Sequence, residues 1–286
     1  MLRHLFLTSA LAVAAAAAQA APLAIKVYHA DENSFHVTSV VVSGEKEALV
    51  IDSGFTQADA HRIAANVLDT GKTLKTILVS NADPDQYFGA TLLKRLFPQA
   101  EVVATPAVVE KIQSRLAAKV AYWGPRMGAN APGEPLVPTP LSSTTLTVDG
   151  QEVQIRATAG PLAHRPYVWI PSSGTVAGAL GVFGNLHVWT ADTQTRAERL
   201  AWLAQLKDIL ALDPRVVVPG HMAAGTQLDR SAVTYTHDYL VRFESELAKA
   251  ANSDELIDAM KKAYPGAGLG IALDLGAKVN KGELKW

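Results

Sequence analysis

Apolar positions alternate or run together over residues 35–42 and 47–52, on either side of Ser43-Gly44-Glu45, and predict a β-hairpin. The second run closes on Leu49-Val50-Ile51 and stops at Asp52-Ser53-Gly54, a strand end followed by turn residues. Thr56 and Asp59 have the spacing of a capping box, so a helix is expected from there to about Leu68. Thr76-Ile77-Leu78-Val79 reads as a short buried strand that delivers the chain to the polar loop from Ser80 to Gln86. A helix from about Phe88 to Leu96, a strand at Val102-Val103-Ala104 and a helix from Ala107 to about Ala118 follow. Five Pro between 125 and 140 predict a long irregular loop over residues 122–142.

The pattern then repeats in kind. Strands are expected near 144–148, 151–157, 167–170 and 174–179. Thr195 and Glu198 cap a helix that carries Leu203, Leu206 and Leu210 on one face. Val216-Val217-Val218 is another buried strand and ends in Pro219-Gly220-His221. The next helix sets Val233, His237, Leu240, Phe243 and Leu247 on one stripe, which makes His237 a hydrogen-bonded core residue. Strands then helices, twice, predict two layers packed sheet to sheet with helices outside.

Composition narrows the function classes. The 286 residues hold 26 Lys+Arg against 27 Asp+Glu, a net charge of −1, so nothing draws the chain to nucleic acid or an anionic membrane. A hydrophobic fraction of 49% argues against disorder. The absence of Cys excludes disulfides, thiolate metal sites and a Cys nucleophile. Residues 1–20 join a basic tip, an Ala-rich apolar run and Ala18-Gln19-Ala20, the pattern of a cleavable export signal. The expectation is a periplasmic or secreted protein whose remaining residues, 21–286, form a single domain acting on a small molecule.

Chemistry-bearing residues gather where strands should end: Asp52-Ser53-Gly54, the Asn81–Gln86 loop, the segment 185–192, and Pro219-Gly220-His221. Loops along one sheet edge are common places for a site. With the strand Trp169-Ile170-Pro171 and Gly89, this order resembles the metallo-β-lactamase superfamily over most of the chain. The resemblance implies an αββα sandwich of two mixed β-sheets flanked by helices. It also implies a metal-dependent hydrolase, with one or two metal ions at the sheet edge and a metal-bound water as nucleophile.

The superfamily's His-x-His-x-Asp-His motif would fall on Asn81, Asp83, Asp85 and Gln86, so only Asp85 is kept. The next His would fall near Gly160-Pro161, and the bridging Asp is matched by Gly178-Ala179. His221 matches the last His of the pattern. The expected ligand set is therefore Asp83, Asp85, His187 and His221 around one divalent ion. It is richer in oxygen than a usual zinc site and suits Zn²⁺, Mn²⁺ or Fe²⁺. The second reading is a non-catalytic protein that binds a small ligand or partner on the same scaffold without metal. His164, beside Arg165, is expected in an exposed loop, Asp52 as a structural tie beneath the site, and His29, His36 and His61 as background. Trp123, Trp169 and Trp189 are either cleft walls or core filling.

Overall fold

The computed structural model describes residues 20–286. The expected export segment lies outside them but for Ala20. Eleven strands form two sheets. The first holds β1 (Ala24–His29), β2 (Thr38–Ser43), β3 (Glu47–Ile51), β4 (Thr73–Leu78), β5 (Glu101–Ala104) and β6 (Thr139–Pro140), in that order across the sheet. The second holds β7 (Thr145–Val148), β8 (Gln151–Arg156), β9 (Tyr167–Ile170), β10 (Thr175–Gly184) and β11 (Val216–Met222), side by side. β1, β2 and β3 pair antiparallel, and β3 to β6 run parallel. β7 to β10 pair antiparallel, and β11 joins β10 in parallel.

The strand alternation sets the layers. Val40, Val42, Leu49, Ile51 and Leu78 of the first sheet face Val153, Ile155, Val168 and Ile170 of the second in one buried cluster. The intervening Val41, Val50 and Ile77 point the other way, to Ile63 and Val67 of α1 (Gln57–Thr70), Leu93 of α3 (Ala90–Leu96) and Ile112 of α4 (Pro106–Met127). On the far side, Val176, Val182 and Val217 pack on α5 (Arg196–Ala211), α6 (Ser231–Lys249), α7 (Ser253–Ala263) and α8 (Gly270–Asn280). This is the αββα sandwich. Successive side chains on a strand must leave opposite faces, so each sheet is apolar on both.

Both expected capping boxes form. Thr56 Oγ1 accepts from the Asp59 amide and the Asp59 carboxylate accepts from the Thr56 amide across the first turn of α1, and Thr195 and Glu198 do the same on α5. The expected hairpin is β2–β3, but residues 35 and 36 are not strand. Phe35 and His36 take φ of 55° and 57°, a left-handed pair that turns the chain ahead of β2. The helix expected to stop near Ala118 continues to Met127 with Pro125 inside it, and only the segment after it is irregular. Proline breaks a helix by removing one donor and crowding one carbonyl, and near the C-terminus that disturbance is confined to a last turn. The strand expected over 174–179 runs on to Gly184 because its continuation is buried on both faces. His237 is half-buried and bonds Asp238 at 3.0 Å, so it is not the core residue expected from the stripe.

Candidate active site cleft

Four chain segments meet at one edge of the sandwich. Asp52, at the end of β3, is wholly buried with φ 65° and accepts 2.7 Å bonds from the Ser80 amide and hydroxyl. It thereby ties β3 to the loop that leaves β4. The close approach continues at Gly89, where a Cβ would stand 2.0 Å from the Ser53 carbonyl oxygen. The loop from Asn81 then bends on itself. The Asp83 amide donates to Asn81 Oδ1 at 3.2 Å, and Asp83 precedes the short helix α2 (Pro84–Tyr87).

Asp83, Asp85 and His221 line one cleft of about 510 Å³. His221 Nε2 lies 3.5 Å from Asp85 Oδ2, and its Nδ1 lies 2.8 Å from the Phe35 carbonyl oxygen. A carbonyl only accepts, so Nδ1 carries the proton and Nε2 turns its lone pair toward Asp85. The left-handed pair Phe35-His36 aims that carbonyl, and the Val37–His221 bridge stitches the turn to β11. The imidazole also stacks on Phe183 at 5.1 Å.

Burial governs the charge here. It pushes the Asp85 carboxyl well up from the ordinary range, with Asp83 adding to the effect. It pushes His221 down to about 4. Both shifts favour a neutral carboxyl beside a neutral imidazole, because separated charge is costly away from water. Asp83 is raised as well, first by burial and then by Asp192. Asp52 is raised by burial to about 7, against the pull of its two Ser80 bonds.

The mouth of the cleft is aromatic. Phe35 stands 5.3 Å from Trp123 and 5.4 Å from Phe55, ring centre to ring centre. Trp189 and Trp286 sit 5.7 Å apart, and both indole N–H groups donate to Asp192, at 2.7 and 3.0 Å. Of the three tryptophans named from sequence, Trp123 and Trp189 wall the cleft, whereas Trp169 packs beside the second core.

His187 is not in this lining. Its buried ring bonds the Tyr239 hydroxyl at 2.9 Å and packs against that ring edge to face, behind β10 and against α6. Beyond β10, Leu186 and Val188 on either side of His187 pack into the core against the helices, and of the segment 185–192 it is Trp189 and Asp192 that line the cleft. His164 is not an exposed loop residue either. It is half-buried, and burial with Arg165 beside it pushes its pKa to about 4.

Arg165 is the residue that sequence reasoning passed over. It is 4% exposed, its guanidinium lies 4.6 Å over the Trp202 ring of α5, and it lines the cleft with Asp83 and Asp192. Nε and Nη1 are buried and have no hydrogen-bond partner among the described residues. The amide nitrogens of Asn81 and Gln86 are in the same condition. The one sequence signal was the pairing of a loop arginine with an apolar helix face at Trp202, too remote in the chain to be read locally.

These donors do not fit the metal ion that the resemblance implies. Among the described residues no group of three or more His, Asp or Glu side chains is arranged to hold one. Two former ligand positions offer amides with unpaired N–H groups, and a fixed guanidinium lines the same cleft. A cation beside a cation is repelled, the more so away from water.

A family profile described as the metallo-beta-lactamase superfamily matches residues 33–221. No curated protein sequence matches the chain. Among solved structures, a beta-lactamase domain protein from Burkholderia ambifaria is similar at 14% identity with a TM-score of 0.64, covering 91% of this chain and 84% of its own. A metallo-beta-lactamase family protein from Thermus thermophilus is similar at 17% identity with a TM-score of 0.59, covering 88% and 91%. A metallo-beta-lactamase from Pontibacter korlensis is similar at 18% identity with a TM-score of 0.54, covering 77% and 99%. At these identities the likeness is one of fold.

Proposed function

The chain belongs to the metallo-beta-lactamase superfamily, and from that premise we propose that it is an exported protein that captures a small molecule in the sheet-edge cleft without a metal ion. The observation that carries this reading is the buried Arg165 guanidinium with two unpartnered nitrogens, in a cleft where burial pushes Asp85 and His221 toward their neutral forms. A cleft with aromatic walls and a few polar groups has the character of a small-molecule site. Among the described residues no group of three or more His, Asp or Glu is arranged to hold the ion that would supply a hydroxide nucleophile, which supports this reading.

The second reading, a hydrolase with one Zn²⁺, Mn²⁺ or Fe²⁺, draws on one feature. The His221 Nε2 lone pair faces Asp85, with Asp83 in the same lining, and Nδ1–H is fixed by a carbonyl as in many metal-bound imidazoles. Metal analysis of protein purified without chelators separates the two. The capture reading expects no stoichiometric transition metal, and bound metal at one per chain with an ester- or phosphodiester-cleaving activity lost in His221→Ala overturns it. The export part of the proposal rests on residues 1–20, and N-terminal sequencing of the protein recovered from cells tests it.

A further inference from the structure

Beside the aromatic mouth the cleft opens into a corner of about 370 Å³ that shares Asp83, Lys119, Arg165 and Asp192 with it. Lys111, Arg115 and Lys119 of α4 line this corner at helical spacing i, i+4, i+8, so one face of α4 presents three cations to it. Arg165 and the Asn81 amide close the other side. The unpartnered Arg165 Nε and Nη1 and Asn81 Nδ2 are all donors. Buried donors left without acceptors are costly, and a ligand that brings acceptors removes that cost.

We infer that the captured molecule is a small organic anion, with its carboxylate or other oxoanion on Arg165 in the basic corner and its apolar body against Trp123, Trp189 and Trp286. This rests on the capture reading and adds the chemical class of the ligand. A guanidinium presents its N–H groups in a fork that suits a bidentate oxoanion. The two carboxylates of the corner do not reverse its sign. Lys111, Arg115, Lys119 and Arg165 outnumber Asp83 and Asp192 in its lining, and both oxygens of Asp192 are already occupied by indole N–H groups.

An organic cation in the aromatic mouth is the competing ligand chemistry, since aromatic walls attract ammonium groups. Lys119 Nζ already lies 5.2 Å over the Trp286 ring, and Arg165 faces the same space. A second cation there meets two resident ones.

The cleft tryptophans supply the readout. Wild-type protein is titrated with phenylacetate, phenyl phosphate, the neutral phenylacetamide and choline, and binding is followed by tryptophan fluorescence and calorimetry. At least one of the two anions is expected to bind about 10- to 100-fold more tightly than phenylacetamide, the worth of hydrogen bonds to a charged group. Arg165→Gln is expected to bring the anion down to the level of the amide. The double variant Lys111→Gln/Arg115→Gln, on the less buried α4 face and away from the aromatic mouth, is expected to weaken the anion several-fold more than it weakens phenylacetamide, and it carries the test should Arg165→Gln not fold by circular dichroism. Phenylacetamide binding as tightly as both anions, or choline binding more tightly than either, overturns the anion inference and leaves the capture reading standing. Saturable binding by none of the four overturns both.

Discussion

Arg165 and Arg199 are each 4% exposed, and they could hardly be placed more differently. Arg199, in the first turn of α5, pairs with Glu244 of α6. Its Nη1 donates to the carbonyls of Thr193 and Gln194, both at 2.9 Å, and to Asn280 Oδ1 at 2.6 Å. It is a tie between a loop and two helices. Arg165 has a stacking partner in Trp202 and an acid on either hand, but its buried Nε and Nη1 donate to nothing among the described residues. The carboxylates divide in the same way. Asp59 is buried and accepts from Ser34, Tyr28 and Thr56, which holds its pKa down despite its burial. Asp85 is buried and its nearest partner is a neutral imidazole at 3.5 Å, so its pKa rises. A buried charge with its partners complete belongs to the scaffold, and one left incomplete marks where something else is expected to bind.

Arg199→Gln breaks the scaffold side of this contrast most severely. It leaves Glu244 without its partner and should cost about 3–5 kcal/mol, read as a shifted denaturation midpoint at unchanged slope, with ligand binding intact in the folded fraction. Asp59→Ala removes the common acceptor of several donors and should cost about 2–3 kcal/mol by the same measurement. On the cleft side the sign reverses. Arg165→Met, without ligand, removes an unsatisfied buried charge and keeps the contact with Trp202, so stability should rise by about 1 kcal/mol. A loss as large as that of Arg199→Gln would mean that Arg165 is a structural tie after all.

A further contrast lies in pH. Asp52 has its folded pKa raised to about 7, so it binds a proton in the folded state that the unfolded chain releases near 3.8. Its contribution is fully present below 3.8 and is lost as pH rises to about 7. Asp52→Asn, which has no proton to lose, should gain stability relative to the wild type between pH 4 and 7 and hold a level difference above that. Asp85 and His221 shift in opposite directions, so their effects on the proton count oppose each other. Denaturation of both proteins at pH 4, 5.5, 7 and 8 checks this, and a difference that does not change with pH would contradict it.

Much of the architecture was legible because it is written in local rules. Thr56 with Asp59 and Thr195 with Glu198 mark helix starts, Val40 to Val42 and Leu49 to Ile51 alternate between two cores, and Asp52 and His221 end strands at the site edge. β1, α7 and α8 were not anticipated, although Asn252 and Glu255 mark the start of α7 by the same cap spacing. The site was legible only in part. Asp83, Asp85 and His221 were placed together by the superfamily's motif falling on strand ends, and they line the same cleft. His187 was grouped with them as an imidazole near the missing bridging position of the superfamily pattern, but its ring bonds Tyr239, some fifty residues later in the chain. Arg165 was passed over because its burial comes from Trp202 and its setting from α4, contacts that no local pattern encodes. Trp286 likewise reaches the mouth only through tertiary folding.

The central claim is that a fixed guanidinium, and not a bound metal ion, provides the charge that holds the ligand. Calorimetric titration of the wild type with phenylacetate and phenyl phosphate, before and after exhaustive dialysis against EDTA, tests it most directly. The expected result is the same affinity in both states, for whichever anion binds, and its loss in Arg165→Gln. Binding that disappears with EDTA, returns with Zn²⁺, Mn²⁺ or Fe²⁺ and survives Arg165→Gln would contradict the account.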